Sequence, residues 1–205
     1  DHNFIHGNQA REGGAIVLAY LVDGYYPIIS NNEISNNMST SGDPQIPGRG
    51  GAIYATYATP ILINNTIVYN IAEGIPDCNP MYESCPEGGG MWYMQSHPVI
   101  INSIFWGNVP NQLHTYAFFT IYPSEIDIDY SNIEGGEQGI DQGIFTPSII
   151  NWGENNLETE PNFIDDNANN YSLNGDSPCI DSGINNYQYN DTIIFNFEEN
   201  QYLGA

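Results

Sequence analysis

Lysine is absent from this chain of 205 residues, and arginine occurs only as Arg11 and Arg49, against 25 acidic residues. The formal charge is −23. With almost nothing to neutralise phosphates, the composition argues against nucleic acid as a partner, and the same repulsion disfavours anionic membrane surfaces. No apolar run approaches the ~20 residues of a membrane span. Sustained apolar spacing at three and four residues is also missing, which argues against a helical repeat. Cysteine is scarce. Cys78 and Cys85 bracket a short loop that a disulfide can close, and Cys179 sits in an apolar run, where it reads as a buried thiol. One local disulfide and one buried thiol fit an oxidising, exported setting. No signal peptide is visible and the first residue is not Met, so Asp1 reads as a processed or internal start.

What the chain has in abundance is repetition. Pro60-Ile61-Leu62-Ile63-Asn64-Asn65-Thr66-Ile67-Val68-Tyr69-Asn70 runs almost in register with Pro98-Val99-Ile100-Ile101-Asn102-Ser103-Ile104-Phe105-Trp106-Gly107-Asn108. Pro27-Ile28-Ile29-Ser30-Asn31-Asn32-Glu33-Ile34-Ser35-Asn36-Asn37 has the same length. A glycine signature precedes each copy: Gly13-Gly14-Ala15-Ile16, Gly50-Gly51-Ala52-Ile53 and Gly88-Gly89-Gly90-Met91. Residues 2–8 match the tail of a further copy whose earlier part is missing. Either more rungs precede Asp1, or a neighbouring copy stacks on the open edge. Units of this size bury their apolar faces only by stacking on one another.

The apolar runs are short, rich in Ile, Val and Tyr, and bounded by Gly, Asn and Pro, which is how strands read. One unit offers three: Ile53-Tyr54-Ala55-Thr56-Tyr57 after the glycines, Ile61-Leu62-Ile63 after the proline, and Thr66-Ile67-Val68 after the asparagines. Three strands per turn, with turns ~4.8 Å apart, describe an all-β, single-stranded parallel β-helix. Asn64 and Asn102 then mark corners where amides can stack in a ladder, and Ile63 and Ile101 are expected to meet in the interior. Rungs are assigned to residues 1–136, with the first incomplete. Residues 137–205 are turn-rich and expected to fold over the C-terminal end as an irregular cap.

Insertions lengthen at one point of the turn, from 9–12 to 38–49 to 71–87. Stacked turns gather such loops on one edge, where binding surfaces form. Tyr54 and Trp92 occupy equivalent positions beside these loops. If Ile16, Ile53 and Met91 point inward, period-two alternation turns Tyr54 and Trp92 outward. With Tyr57 and Tyr93 they make a candidate carbohydrate platform; the competing reading is an aromatic stack that only shields the sheet. Glycans and neighbouring copies are the candidate partners.

Catalytic patterns are poor. Asp127 and Asp129 share one strand face and suit calcium, or simply form the wet face of a strand; no cofactor is required. The His residues 2, 6, 97 and 114 fall in different repeats without metal-ligand spacing. No Ser/His/Asp or Cys/His pattern stands out, so no catalytic residue is assigned. The expected function is a secreted or cell-surface structural or adhesive solenoid, with a carbohydrate-binding or polysaccharide-degrading module as the alternative.

Past residue 109 the repeat decays, and a resemblance appears. Glu160-Pro161-Asn162-Phe163-Ile164-Asp165, Asn170-Tyr171-Ser172-Leu173 and Ser177-Pro178-Cys179-Ile180-Asp181-Ser182-Gly183 resemble the D-P-x-F-x-D, D-Y-x-L and S-P-C-I-D-x-G series of bacterial choice-of-anchor Q domain proteins. Leu203-Gly204-Ala205 resembles the D-I-G-A close of that domain, and residues 101–108 its last-rung motif. The Gly-Gly-Ala-Ile copies are similar to those of polymorphic outer-membrane proteins. The chain departs from the pattern at Glu160 and Leu203. The resemblance implies a right-handed β-helix, export, and attachment to the outer cell surface through a sorting domain beyond Ala205. It implies no reaction and no catalytic residues.

Overall fold

A computed structural model describes residues 1–21, 25–43, 46–74, 85–116, 123–143 and 148–196. Strands dominate, with two short 3-10 turns among the described residues. The chain first lays down β1 (Phe4–His6) and β2 (Gln9–Ala10). Four strands follow, β3 (Ile16–Ala19), β4 (Ile28–Ser30), β5 (Glu33–Ser35) and β6 (Met38–Ser39), of which the last two pair with β1 and β2. Next come β7 (Ile53–Thr56), β8 (Ile61–Ile63), β9 (Thr66–Val68) and β10 (Ile71–Ala72). The following copy contributes β11 (Met91–Met94), β12 (Val99–Ile101) and β13 (Ile104–Trp106). After it come β14 (Leu113–Tyr116), β15 (Glu125–Asp129) and β16 (Asn132–Ile133), then β17 (Ile140–Gln142) and β18 (Ile149–Trp152).

Three five-stranded sheets result, ordered β3-β7-β11-β14-β17, β4-β8-β12-β15-β18 and β1-β5-β9-β13-β16, with a short sheet β2-β6-β10 beside them. Every pairing within these four sheets is parallel. This topology is compatible with the expected parallel β-helix. Ile28, Ile61 and Val99 pair directly, so Pro27, Pro60 and Pro98 enter equivalent strands. The repeats continue beyond residue 136, because β17 and β18 extend two of the sheets and Leu157 bridges to Asn132.

Left-handed corners make the register possible. Asn31, Asn64, Asn102 and Tyr130 hold φ of 55°, 54°, 52° and 51° at one corner. The glycine corner uses Gly50 at +64°, and the next residue, Gly51, is dictated by crowding: a Cβ there would run into the carbonyl of Gly89 and the backbone of Ile71.

The amide ladder forms one residue beyond the expected position. Asn64 donates to Asn31 Oδ1 at 3.1 Å, but Asn102 turns away to bond Ile184. The ladder at this corner runs from the exposed Asn3 through the buried Asn32 and Asn65, and Ser103 and Ser131 continue it with hydroxyls. A second links Asn8, Asn37, Asn70, Asn108 and Gln112 by amide bonds of 2.6–2.9 Å. At these two corners the residue after the left-handed one points inward. Except in the first repeat, its polar side chain is buried and must be bonded, so it stacks on its neighbour in the ladder.

Two apolar clusters coexist. Ile53, Leu62, Ile67, Met91, Ile100, Phe105, Leu113 and Ile128 fill the interior. Ile61, Ile63, Val99 and Ile101 lie on the opposite face of β8 and β12 and pack against Tyr187, Tyr189, Ile194 and Phe195. Ile63 and Ile101 therefore belong to the outer layer rather than the interior, since Leu62 and Ile100 take the inward positions of the pleat.

The same observation corrects the cap. After residue 157 the chain runs back along the sides of the sheets instead of closing their end. The antiparallel pair β19 (Phe163–Asp165) and β20 (Asn170–Leu173) docks on the face of β5 and β9. There Asn36 donates to the Tyr171 hydroxyl at 2.9 Å and Tyr69 to Asp166 Oδ2 at 2.8 Å. A second antiparallel pair, β21 (Asn186–Tyr189) and β22 (Thr192–Asn196), covers the outer isoleucines. The Asn102 amide holds it by accepting from Ile184 N at 2.9 Å and donating to Ile184 O at 2.8 Å. The reason is burial: the outer faces of β8 and β12 are as apolar as the inner ones, and need a cover. Residues 197–205, with Leu203, Gly204 and Ala205, lie outside the described residues.

Candidate functional site

Val17, Tyr54, Trp92, His114 and Asp141 occupy one column, paired strand to strand across β3, β7, β11, β14 and β17. Their strand neighbours Ile53, Met91 and Leu113 point inward, so alternation does send this column outward. Tyr54 and Trp92 stack at 4.8 Å between centroids, with planes 5° apart, and Tyr116 follows at 6.1 Å from Trp92.

As a carbohydrate platform the column fails at Trp92. That side chain is 2% exposed. Tyr54 and Tyr116 flank its ring, the Arg49 guanidinium carbon lies 5.3 Å from its centroid, and its indole N–H donates to Glu87 Oε2 at 2.9 Å. Tyr93 is 0% exposed, because alternation sends it into the interior, and burial pushes its hydroxyl far above the ordinary tyrosine value. Trp92 and Tyr93 are therefore withdrawn as sugar contacts. Tyr54 is half-buried. Tyr57 is exposed, at 41%, and stacks on Tyr20, 76% exposed, at 5.1 Å. Stacking also consumes ring faces, so most of such a ladder offers a partner its edges.

Beneath the aromatic column lies a polar network. His114 Nδ1 stands 2.9 Å from Asp141 Oδ2, and Nε2 stands 3.4 Å from Glu87 Oε2. The His114 contact holds the Asp141 carboxyl below its ordinary value, so Asp141 is ionised and Nδ1–H donates. Glu87 also lies 3.7 Å from Arg49 Nε. Glu12, Arg49 and Glu87 are bridged backbone to backbone, which puts the acid, the base and the acid in line. Sequence spacing hid this arrangement, because insertions of different lengths separate its members. The aligned glycine signatures were the available signal: Glu12, Arg49 and Glu87 each precede one.

Asp127 and Asp129 do share a face of β15, but they do not converge. Asp129 bonds the Tyr130 N–H and the Asn155 amide. Asp127 Oδ2 instead meets His97 Nε2 at 2.9 Å, and Glu125 Oε2 lies 3.6 Å from His97 Nδ1. The Asn151 amide donates to Glu125 Oε1 at 2.9 Å and to Asp127 Oδ1 at 2.6 Å. The Tyr189 hydroxyl completes the group, 3.2 Å from His97 Nδ1. Burial raises the Asp127 carboxyl and lowers the His97 imidazole, but their mutual hydrogen bond overcomes it, leaving Asp127 below and His97 above the ordinary values. The pair expected at Asp127 and Asp129 is thus replaced by a cluster of His97, Glu125 and Asp127.

A cleft of about 370 Å3 opens between β20 and the outer face of β1 and β5, lined by Phe4, His6, Glu33, Asn36, Asn169 and Tyr171. Burial raises the Glu33 carboxyl.

Cys78 lies outside the described residues. Cys85 is disulfide-bonded, and Cys179 is a buried free thiol that accepts from Asn132 Nδ2 at 3.1 Å. No helix among the described residues is long and apolar enough to cross a membrane.

No known family model, curated protein or solved structure matches this chain.

Proposed function

We propose that this chain is the right-handed parallel β-helix of an exported protein that works by contact at a cell surface or in the extracellular matrix. One observation carries the reading. Glu87, Trp92, His114 and Asp141 meet each other across adjacent repeats, and three of the four are nearly inaccessible. Groups buried in mutual contacts hold repeats in register; groups that process a polymer must reach it. The resemblance to choice-of-anchor Q domains supports export and surface attachment.

A second reading, carbohydrate binding, is favoured by the cleft beside β20. Its amides and the Glu33 carboxyl suit sugar hydroxyl groups, and the exposed Phe4 ring suits the apolar face of a sugar. Incubation with pectin, alginate and neutral polysaccharides, with calcium present, tests both. Contact function predicts no unsaturated products and no new reducing ends. Retention on an insoluble glycan, lost in Glu33→Ala, would favour the cleft. Sustained turnover abolished by Glu87→Gln would sink the non-catalytic reading.

A further inference from the structure

The outward column of β4, β8, β12, β15 and β18 changes character along its length. Ile28, Ile61 and Val99 are apolar, and β21 with β22 covers Ile61 and Val99; Asp127 and Asn151 continue the column as polar residues. His97, just before β12, reaches this border from one side and Tyr189, at the end of β21, from the other. Four side chains from three repeats and the covering hairpin therefore converge on one point.

We propose that His97, Glu125 and Asp127 form a binding site for a divalent cation of the zinc class, with the Asn151 amide and the Tyr189 hydroxyl holding the ligands in place. The donor set is one imidazole and two carboxylates, the mixture that suits zinc and its first-row neighbours better than calcium, which prefers oxygen alone. One potential ligand atom from each of the three lies within 4.8 Å of the others. Asp127 Oδ2 stands 2.9 Å from Nε2, close to the spacing of two ligands on one small ion, whereas Glu125 Oε2 stands 3.6 Å from the other ring nitrogen, Nδ1, and has to turn toward Nε2 to join them. The ion takes the place of the proton between His97 Nε2 and Asp127 Oδ2.

The support around the ligands argues separately for a positioned site. Tyr189 lies 3.2 Å from His97 Nδ1, a contact that leaves Nε2 facing Asp127. Asn151 binds one oxygen of each carboxylate, which fixes their planes and leaves their other oxygens toward the ring. Partners of this kind orient metal ligands, and their loss weakens affinity. All three ligands remain partly open to solvent, giving the ion a way in. Because Tyr189 comes from the C-terminal segment, the ion also ties that segment to the repeats.

Titration calorimetry and metal analysis of the full chain with zinc, manganese and calcium test the proposal. The expected result is one zinc per chain, with a raised melting temperature. His97→Gln and Asp127→Asn should each weaken zinc binding by at least about tenfold, while Asp129→Asn, on the same strand, should not. Melting without metal checks that each variant folds. Tyr189→Phe removes a supporting hydroxyl but no ligand, and gives a second reading if a ligand variant misfolds: a several-fold loss is expected. Diffuse binding of several ions, unchanged in His97→Gln or Tyr189→Phe, would overturn the proposal and leave only an acidic surface. Tight calcium binding independent of His97 would overturn it equally.

Discussion

Ile100 and Ile101 are adjacent on β12 and belong to different cores. Ile100 packs in the interior with Leu62 and Ile128, whereas Ile101 faces the other way and is covered by the segment that carries Tyr187 and Phe195. Both are fully buried. Truncation of either to Ala should cost about 2–5 kcal/mol through lost transfer energy and a cavity. The two differ in what they loosen. Ile101→Ala should raise hydrogen exchange in β21 and β22 more than Ile100→Ala does. Equal exchange in both variants would mean that the outer layer is not a separate packing unit.

The amide ladder makes a sharper test of burial. Asn70 donates to Asn108 Oδ1 and accepts from Asn37, with its amide closed off from water. Asn70→Ala leaves the buried Asn37 backbone N–H without its acceptor and removes a donor from the Ile34 carbonyl, and an orphaned buried group costs about 1–3 kcal/mol. Asn31→Ala, at a half-buried rung of the outward ladder, should cost less. Urea midpoints of the two variants measure the difference, and a larger loss at Asn31 would refute the ladder's role.

Acid should loosen the network under Trp92. The hydrogen bond from His114 depresses the folded-state value of Asp141. A depressed carboxyl adds stability that is complete above the ordinary aspartate value of ~4 and disappears as pH falls through the lower, folded one. Asp141→Asn should therefore flatten the acid limb of the stability curve below pH ~4 and leave the limb above it unchanged in shape. Wild-type and variant melts across pH 2–6 (roughly the span around that value) decide it.

Cysteine chemistry should divide the three thiols. The Cys78–Cys85 pairing expected from spacing predicts that alkylation without reductant labels neither. Cys179 is buried, and burial raises its value, so it should label only on unfolding. Intact mass of native and denatured samples reads this directly. Labelling of Cys78 and Cys85 in the unreduced native protein would exclude the bridge.

The sequence by itself determined the repeat, its register and the parallel pairing, because those depend on local causes. Glycine and asparagine supply left-handed corners, proline starts a strand, and period-two apolar residues choose a face. Equivalent residues such as Ile53 and Met91 therefore align from the text alone, and they pair in the structure. The sense of Ile61-Leu62-Ile63 was not legible in the same way. All three are apolar, so alternation leaves both faces eligible for the interior.

Tertiary structure decided what covers each face and which polar groups meet. The C-terminal segment contains its own strands but no periodic signal of where it docks; the outer isoleucines of β8 and β12 attract it because they would otherwise remain in water. His97, Glu125 and Asp127 are brought together by a register that crosses a degenerate repeat, and Tyr189 arrives from nearly the far end of the chain. Trp92 alternates outward as its spacing requires, and is buried all the same, because Glu87, Arg49, Tyr54 and Tyr116 close around it. Direction is a property of the strand. Exposure depends on neighbours that the strand does not choose.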